Sequence, residues 1–251
     1  MRRVLILGGT TEARRLAERL AERTDLSVTA SLAGRTTAPA AQAASVRIGG
    51  FGGAEGLAHY LARERVDVLI DATHPYAAII SANAVAAAAA THIPLLALRR
   101  PPWAPLPGDR WIEAANTERA VEALGEEPRR VFLTLGKTGI ETFARAPQHH
   151  YLVRSVEPVD PPLPVPHASY VTGRGPFTEA TDRKLLAAHS IDIVVAKNSG
   201  GTATYGKVAA ARALGLPIIL LRRPALPEVP TVGTVEEAMT WFSHAVALRG
   251  V

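Results

Sequence analysis

The chain has 251 residues, enough for one large domain or two small ones, and its 47% apolar content can fill a real core. The absence of cysteine excludes disulfides, thiolate catalysis and cysteine-ligated metal centres. The net charge of +5 is spread among acids with no dense Lys/Arg tract, which argues against nucleic acid and suits an anionic small molecule. Taken from the start, Met1-Arg2-Arg3 leads into only four apolar residues before Gly8, too few for a signal peptide. No apolar run is long enough to span a membrane, so a cytoplasmic protein is expected.

Val4-Leu5-Ile6-Leu7 reads as a buried strand, Gly8-Gly9 as a turn and Thr10-Thr11 as the cap of a helix whose Leu16, Ala17 and Leu20 share one face. A glycine turn lets backbone approach a phosphate, and the helix behind it presents unpaired N–H groups. Gly8 and Ala13 fit the first and last positions of the dinucleotide fingerprint, while Thr10 stands where a second glycine is usual, so an ordinary strand-to-helix turn competes with this reading. Leu26 to Ser31 alternates as a second strand. Its end carries Ser31, Arg35 and Thr36 but none of the acids that read an NAD ribose, so a bound dinucleotide is expected to be NADPH, with these three residues on its 2′-phosphate. Ser45 to Ile48 is a third strand, and in the Gly49-Gly50-Phe51-Gly52-Gly53 loop Gly50 and Gly52 can pass close to a ligand.

Val66 to Ile70 is a fourth strand, ending in Asp71-Ala72-Thr73-His74-Pro75-Tyr76. Ligands of open parallel sheets sit at strand carboxyl ends, which makes Asp71, Thr73, His74 and Tyr76 a candidate site. An Ala-rich helix from Ala77 to Ala90 and a fifth strand from Ile93 to Leu98 follow, then a proline-rich connector from Pro101 to Asn116. A short helix leads to Val131–Leu135, which runs into Gly136-Lys137-Thr138 and a helix from Ile140 to Ala144. P-loop spacing fails there, because Val131 stands where its first glycine belongs. Strands at Tyr151–Arg154, Ser169–Thr172, Ile191–Ala196 and Pro217–Leu221 and helices at Thr178–His189, Thr204–Leu214 and Val235–Leu248 complete the chain.

The halves echo each other. Asp67 and Asp192 sit in matching strands, 192 minus 67 being 125, and Leu98-Arg99-Arg100-Pro101 returns as Leu221-Arg222-Arg223-Pro224 at an offset of 123. The expectation is an α/β protein of two similar Rossmann-like domains, 1–116 for the coenzyme and 117–251 for the substrate, each a parallel sheet covered by helices, with a cleft between.

Leu7-Gly8-Gly9-Thr10-Thr11-Glu12-Ala13, the Gly49 to Gly53 loop, Asp71-Ala72-Thr73-His74-Pro75-Tyr76, Gly173-Arg174-Gly175-Pro176-Phe177 and Lys197-Asn198-Ser199-Gly200-Gly201 with Tyr205-Gly206-Lys207 together resemble the precorrin-6A reductases of cobalamin biosynthesis. The resemblance runs from Val4 to about Pro224. It implies NADPH-dependent reduction of a ring double bond to give precorrin-6B, on a tetrapyrrole rich in carboxylates, with no metal, nucleic acid or membrane involved. Gly8, Gly9, Thr10 and Thr11 are then expected at the pyrophosphate, Asp71, Thr73 and His74 at the nicotinamide end of the coenzyme, and Lys137, Arg174, Lys197, Asn198 and Ser199 at the substrate. His74, Tyr76, Lys197 and Tyr205 are the side chains able to donate the proton, with water as the alternative. Two other readings stay open: an enzyme of tetrapyrroles or sugar nucleotides without a redox cofactor, and a non-catalytic nucleotide-sensing module.

Overall fold

The computed structural model describes residues 1–34 and 43–247, the last three by backbone alone. Two compact units divide the chain, Met1–Pro101 with Pro224–Val251, and Pro102–Arg223.

The first unit begins with β1 (Arg2–Leu7), α1 (Thr11–Ala21), β2 (Leu26–Leu32), β3 (Ser45–Ile48) and α2 (Gly53–Arg63), and continues through β4 (Val68–Asp71), α3 (Ala78–Thr91) and β5 (Leu95–Leu98). The second holds β6 (Arg110–Ala114), α4 (Thr117–Leu124), β7 (Arg130–Thr134), a 3-10 turn (Glu141–Arg145), β8 (His150–Ser155) and β9 (Ala168–Thr172). It ends with α5 (Glu179–Ala188), β10 (Ile193–Lys197), α6 (Gly206–Ala213) and β11 (Pro217–Leu221). The chain then returns to the first unit for β12 (Thr231–Val232) and α7 (Val235–Ala247).

Both sheets are wholly parallel, in the orders β12-β5-β4-β1-β2-β3 and β6-β11-β10-β7-β8-β9. Read from the far edge, the first is the 3-2-1-4-5-6 order of the dinucleotide-binding fold, and the second has the same arrangement except that its outermost strand, β6, comes first in the chain instead of last. Helices on both faces explain why the strands are unbroken apolar runs. Val4 and Ile6 of β1 pack with Leu16, Leu20 and Phe242, while Leu5 and Leu7 turn to the other face with Leu57, Leu61 and Ala84.

The repeat is visible in bonds as well as in order. Arg3 N donates to Asp67 Oδ2 at 2.7 Å and its guanidinium to Glu64 O at 2.6 Å. Arg130 N donates to Asp192 Oδ2 at 2.7 Å and its guanidinium to His189 O at 2.7 Å. Even the left-handed residues recur, Arg65 at φ 50° and Ser190 at φ 48°.

The boundary expected at 116/117 is displaced. Each Arg-Arg-Pro is where the chain leaves one unit for the other, and the sixth strand of each sheet comes from beyond that point. The connector expected from Pro101 to Asn116 therefore contains β6, which pairs with β11 from Pro217↔Arg110 to Leu221↔Ala114. The closing helix, expected in the second domain, packs on the first through Ala238 and Phe242. The helix expected from Ile140 to Ala144 is the 3-10 turn.

Candidate functional site

In the first unit the strand order reverses between β1 and β4, and the glycine turn and the Asp71 cluster follow those two strands. Ligands of this fold bind at that reversal. Gly9 takes φ +113°, open only to glycine in practice, and a side chain there would point into empty space. Gly8 N donates to Ser31 O at 2.9 Å, tying the turn to β2. Thr10 caps α1 by accepting from Ala13 N at 3.0 Å and gives its one hydroxyl proton to Ala72 O at 2.9 Å. That hydroxyl therefore has no proton left for an anion. Thr11 opens α1, where backbone N–H groups have no partner within the helix. Glu12, also in the first turn, is held by Arg100 Nη1 at 2.5 Å, which offsets a negative charge at the helix end whose dipole favours anions.

Asp71 is buried and fully engaged. Its Oδ1 accepts from Thr73 N at 3.2 Å and Thr73 Oγ1 at 2.7 Å, and its Oδ2 accepts from Ser81 Oγ at 2.6 Å. Asp71 and Thr73 thus fasten the turn between β4 and α3, with Ser81 as an unforeseen third member. His74 Nδ1 accepts from Tyr76 N at 3.3 Å, and the two rings lie 5.6 Å apart.

The carboxyl ends of β2 and β3 are held by a residue that no sequence motif marks. Arg47 on β3 reaches Ser31 Oγ at 3.3 Å, Gly49 O at 2.5 Å and Gly50 O at 2.7 Å. Its guanidinium lies 3.8 Å from the Phe51 ring centre. Ser31 is buried, with its hydroxyl turned to Arg47. Gly52 is the residue before α2. Arg35 and Thr36 lie outside the described residues.

In the second unit the order reverses between β7 and β10; Lys197 ends β10, and Lys137, Asn198 and Ser199 follow the two strands. Lys197 Nζ donates to Leu135 O at 2.7 Å, and Lys137 Nζ lies 3.8 Å from Glu157. Asn198 brackets the Trp103 backbone, accepting from its N at 2.8 Å and donating to its O at 3.1 Å. Ser199 is buried, and Arg223 holds the carbonyls of Asn198 and Ser199 at 2.9 and 3.0 Å. Tyr205 is the residue before α6, and its hydroxyl accepts from Arg212, which also pairs with Asp109 at 2.9 Å. Arg174 is exposed beyond β9, not at the reversal.

Residues 3–243 match the family model described as Precorrin-6x reductase CbiJ/CobK. A precorrin-6A reductase from Sinorhizobium sp. is 54% identical over 98% of this chain and 94% of its own length. A cobalt-precorrin-6A reductase from Priestia megaterium is 30% identical over 94% of this chain and 96% of its own. A solved structure titled CobK precorrin-6A reductase superposes with a TM-score of 0.94 at 52% identity over 97% of each chain. This chain therefore belongs to the precorrin-6x reductase family.

Proposed function

We propose that the protein reduces a ring double bond of precorrin-6A to give precorrin-6B, on the route to cobalamin, with NADPH as reductant. The observation that carries this reading is the first unit itself: the 3-2-1-4-5-6 order, the Gly8-Gly9 turn into α1 at its reversal point, and a β2 end without an acid. The residues present fit the coenzyme. The open space above Gly9 and the unpaired N–H groups of α1 suit a pyrophosphate. When bound, NADPH supplies the hydride; the chain supplies orientation and charge.

Lys137, Arg174 and Lys197, with Asn198 and Ser199, are assigned to the substrate, the cations meeting its carboxylates. Arg35 and Thr36 are assigned with Ser31 to the coenzyme's 2′-phosphate. Gly50 and Gly52 pass near the coenzyme. Among the proton donors, Tyr205 has the weakest case, since its hydroxyl sits in the Arg212–Asp109 network. His74, with Nδ1 accepting, carries its ring proton on Nε2 when neutral, and Tyr76 and Lys197 remain candidates. Metal-free substrate is favoured, since the relative at 54% identity is named for precorrin-6A and the one at 30% for the cobalt form.

An anaerobic assay with metal-free and cobalt-loaded precorrin-6A tests this. NADPH oxidation on the metal-free form is expected. NADPH binding without oxidation on either form would favour a sensing module, and no NADPH binding would favour an enzyme without redox cofactor. Full turnover in alanine variants of all four donor candidates would assign the proton to water.

A further inference from the structure

We propose that Arg47 reads the 2′-phosphate of the coenzyme and so sets the preference for NADPH over NADH, an inference that rests on the coenzyme reading above. Val4 pairs with Val28, and its counterpart Val131 pairs with Tyr151, so the register aligns Ser31 with Arg154. Ser31 lies opposite Arg47, whereas Arg154 lies opposite Val171. Each sheet therefore carries one guanidinium at this place, on β3 in the first unit and on β8 in the second. Each guanidinium lies 3.8 Å from the centre of a phenylalanine ring, Phe51 or Phe177, two residues before the helix that follows.

The two charges are treated differently. Arg154 is buried against Asp182, with Nη1 to Oδ1 at 2.5 Å and Nη2 to Oδ2 at 3.3 Å. Asp182 is the fourth residue of α5; the fourth residue of α2 is Gly56. A Cβ on Gly56 would stand 1.7 Å from Phe51 O, so the first unit has no room for an acid there while the loop keeps its course. Arg47 instead donates to three neutral oxygens and makes no ion pair among the described residues. Its position is fixed and its charge is not cancelled.

That charge stands at the carboxyl end of β2, where this fold meets the adenosine ribose. A carboxylate there reads the 2′-hydroxyl of NAD; a guanidinium reads a phosphate. Three hydrogen bonds leave two of the five guanidinium N–H groups uncommitted. Phe51 and Tyr60, edge to face at 5.1 Å, fix the plane in which they point.

The test titrates the full chain with NADPH, NADH, 2′,5′-ADP and 5′-AMP, following ligand fluorescence or heat. Arg47→Gln is expected to weaken NADPH and 2′,5′-ADP by about 30- to 100-fold, as for loss of a charge-assisted fork, and NADH and 5′-AMP by less than about 3-fold. Arg47→Lys, which keeps the charge, is expected to recover part of the loss and covers the case in which the glutamine variant fails to fold. Ser31→Asp, giving Arg47 the partner that Arg154 has, is expected to lower NADPH affinity and raise that for NADH. Equal losses for phosphorylated and unphosphorylated ligands in folded Arg47→Gln would reduce Arg47 to a loop anchor and overturn the proposal while leaving the coenzyme reading intact. Failure of the unaltered protein to bind NADPH overturns both.

Discussion

The two units share a spatial arrangement of strands, an Arg–Asp brace at the foot of β1 and β7, and a guanidinium stacked on phenylalanine at the end of β2 or its counterpart β8, yet they part company at the first turn. β1 runs through Gly8-Gly9 into α1, eleven residues long and capped by Thr10. β7 runs through Gly136-Lys137 into a five-residue 3-10 turn with no side-chain cap. On the register that matches Val4 with Val131, Gly136 takes the place of Gly9, Lys137 that of the capping Thr10 and Gly139 that of Glu12. The second unit thus lacks the helix end that attracts a phosphate, and it fills its own reversal point with Lys197 bonded to Leu135 O and Asn198 bonded to Trp103. One scaffold can be kept twice while the glycine turn into a capped helix is kept once, because the sheet order depends on buried apolar residues and the turn on a few exposed ones.

The sharpest break in this comparison is at the guanidinium. Asp182→Ala leaves Arg154 buried without its counter-charge, and the expected cost is about 3–5 kcal/mol of stability. Arg47→Ala strands no carboxylate and is expected to cost about 1–2 kcal/mol, the scale of a few partly exposed hydrogen bonds. Thermal and denaturant unfolding of the two variants measures both. If Asp182→Ala is no more damaging than Arg47→Ala, the contrast between a cancelled and an uncancelled charge is wrong.

The next effect separates the two turns. Gly9 at φ +113° and Gly136 at φ +78° both lie where L side chains are strained, and neither would gain a clash from a Cβ. Alanine at either is expected to cost about 1–3 kcal/mol in stability. Only Gly9→Ala is expected to weaken NADPH, by about tenfold or more, since it moves N–H groups that a phosphate would use. Equal binding by the two variants would remove the coenzyme from the first turn.

Much of this was legible in the sequence, and the reasons are local. Val4–Leu7, Val68–Ile70 and Ile193–Ala196 announce themselves because strands covered on both faces must be apolar throughout. The echo of Asp67 and Asp192 marked a real brace. What stayed hidden depends on partners far along the chain. β12 is two residues long among prolines, and β6 has a mostly exposed face, so neither shows a strand pattern. Asn198 looked like a ligand because nothing in its neighbourhood betrays a bond to Trp103, 95 residues away. Asp71 and Thr73 stand where expected, but with their polar atoms turned on each other and on Ser81. Arg47 is one charge among the four residues of a short third strand, with nothing local to mark it. Only alignment of the repeats through Phe51 and Phe177 would have singled it out beside Arg154.

The smallest expected difference concerns protons. The register that aligns Val28 with Tyr151 also aligns Leu26 with His149, so one buried position holds an apolar side chain in the first unit and an imidazole in the second. Burial pushes the His149 pKa below its usual value, and Nδ1 accepting from Arg129 N at 3.2 Å suits the neutral ring. Above the unfolded value near 6.5, neither state binds the proton and this group gives no pH dependence. As pH falls through that value the unfolded chain takes up a proton that the folded protein refuses, so stability declines until the lower folded pKa is reached. The slope from one such group is at most about 1.4 kcal/mol per pH unit. His149→Gln, which retains an acceptor for Arg129, is expected to flatten unfolding free energy against pH just below 6.5 and to leave it unchanged in shape above. An identical slope in the variant would place the acid sensitivity elsewhere and make the imidazole at this position equivalent to Leu26.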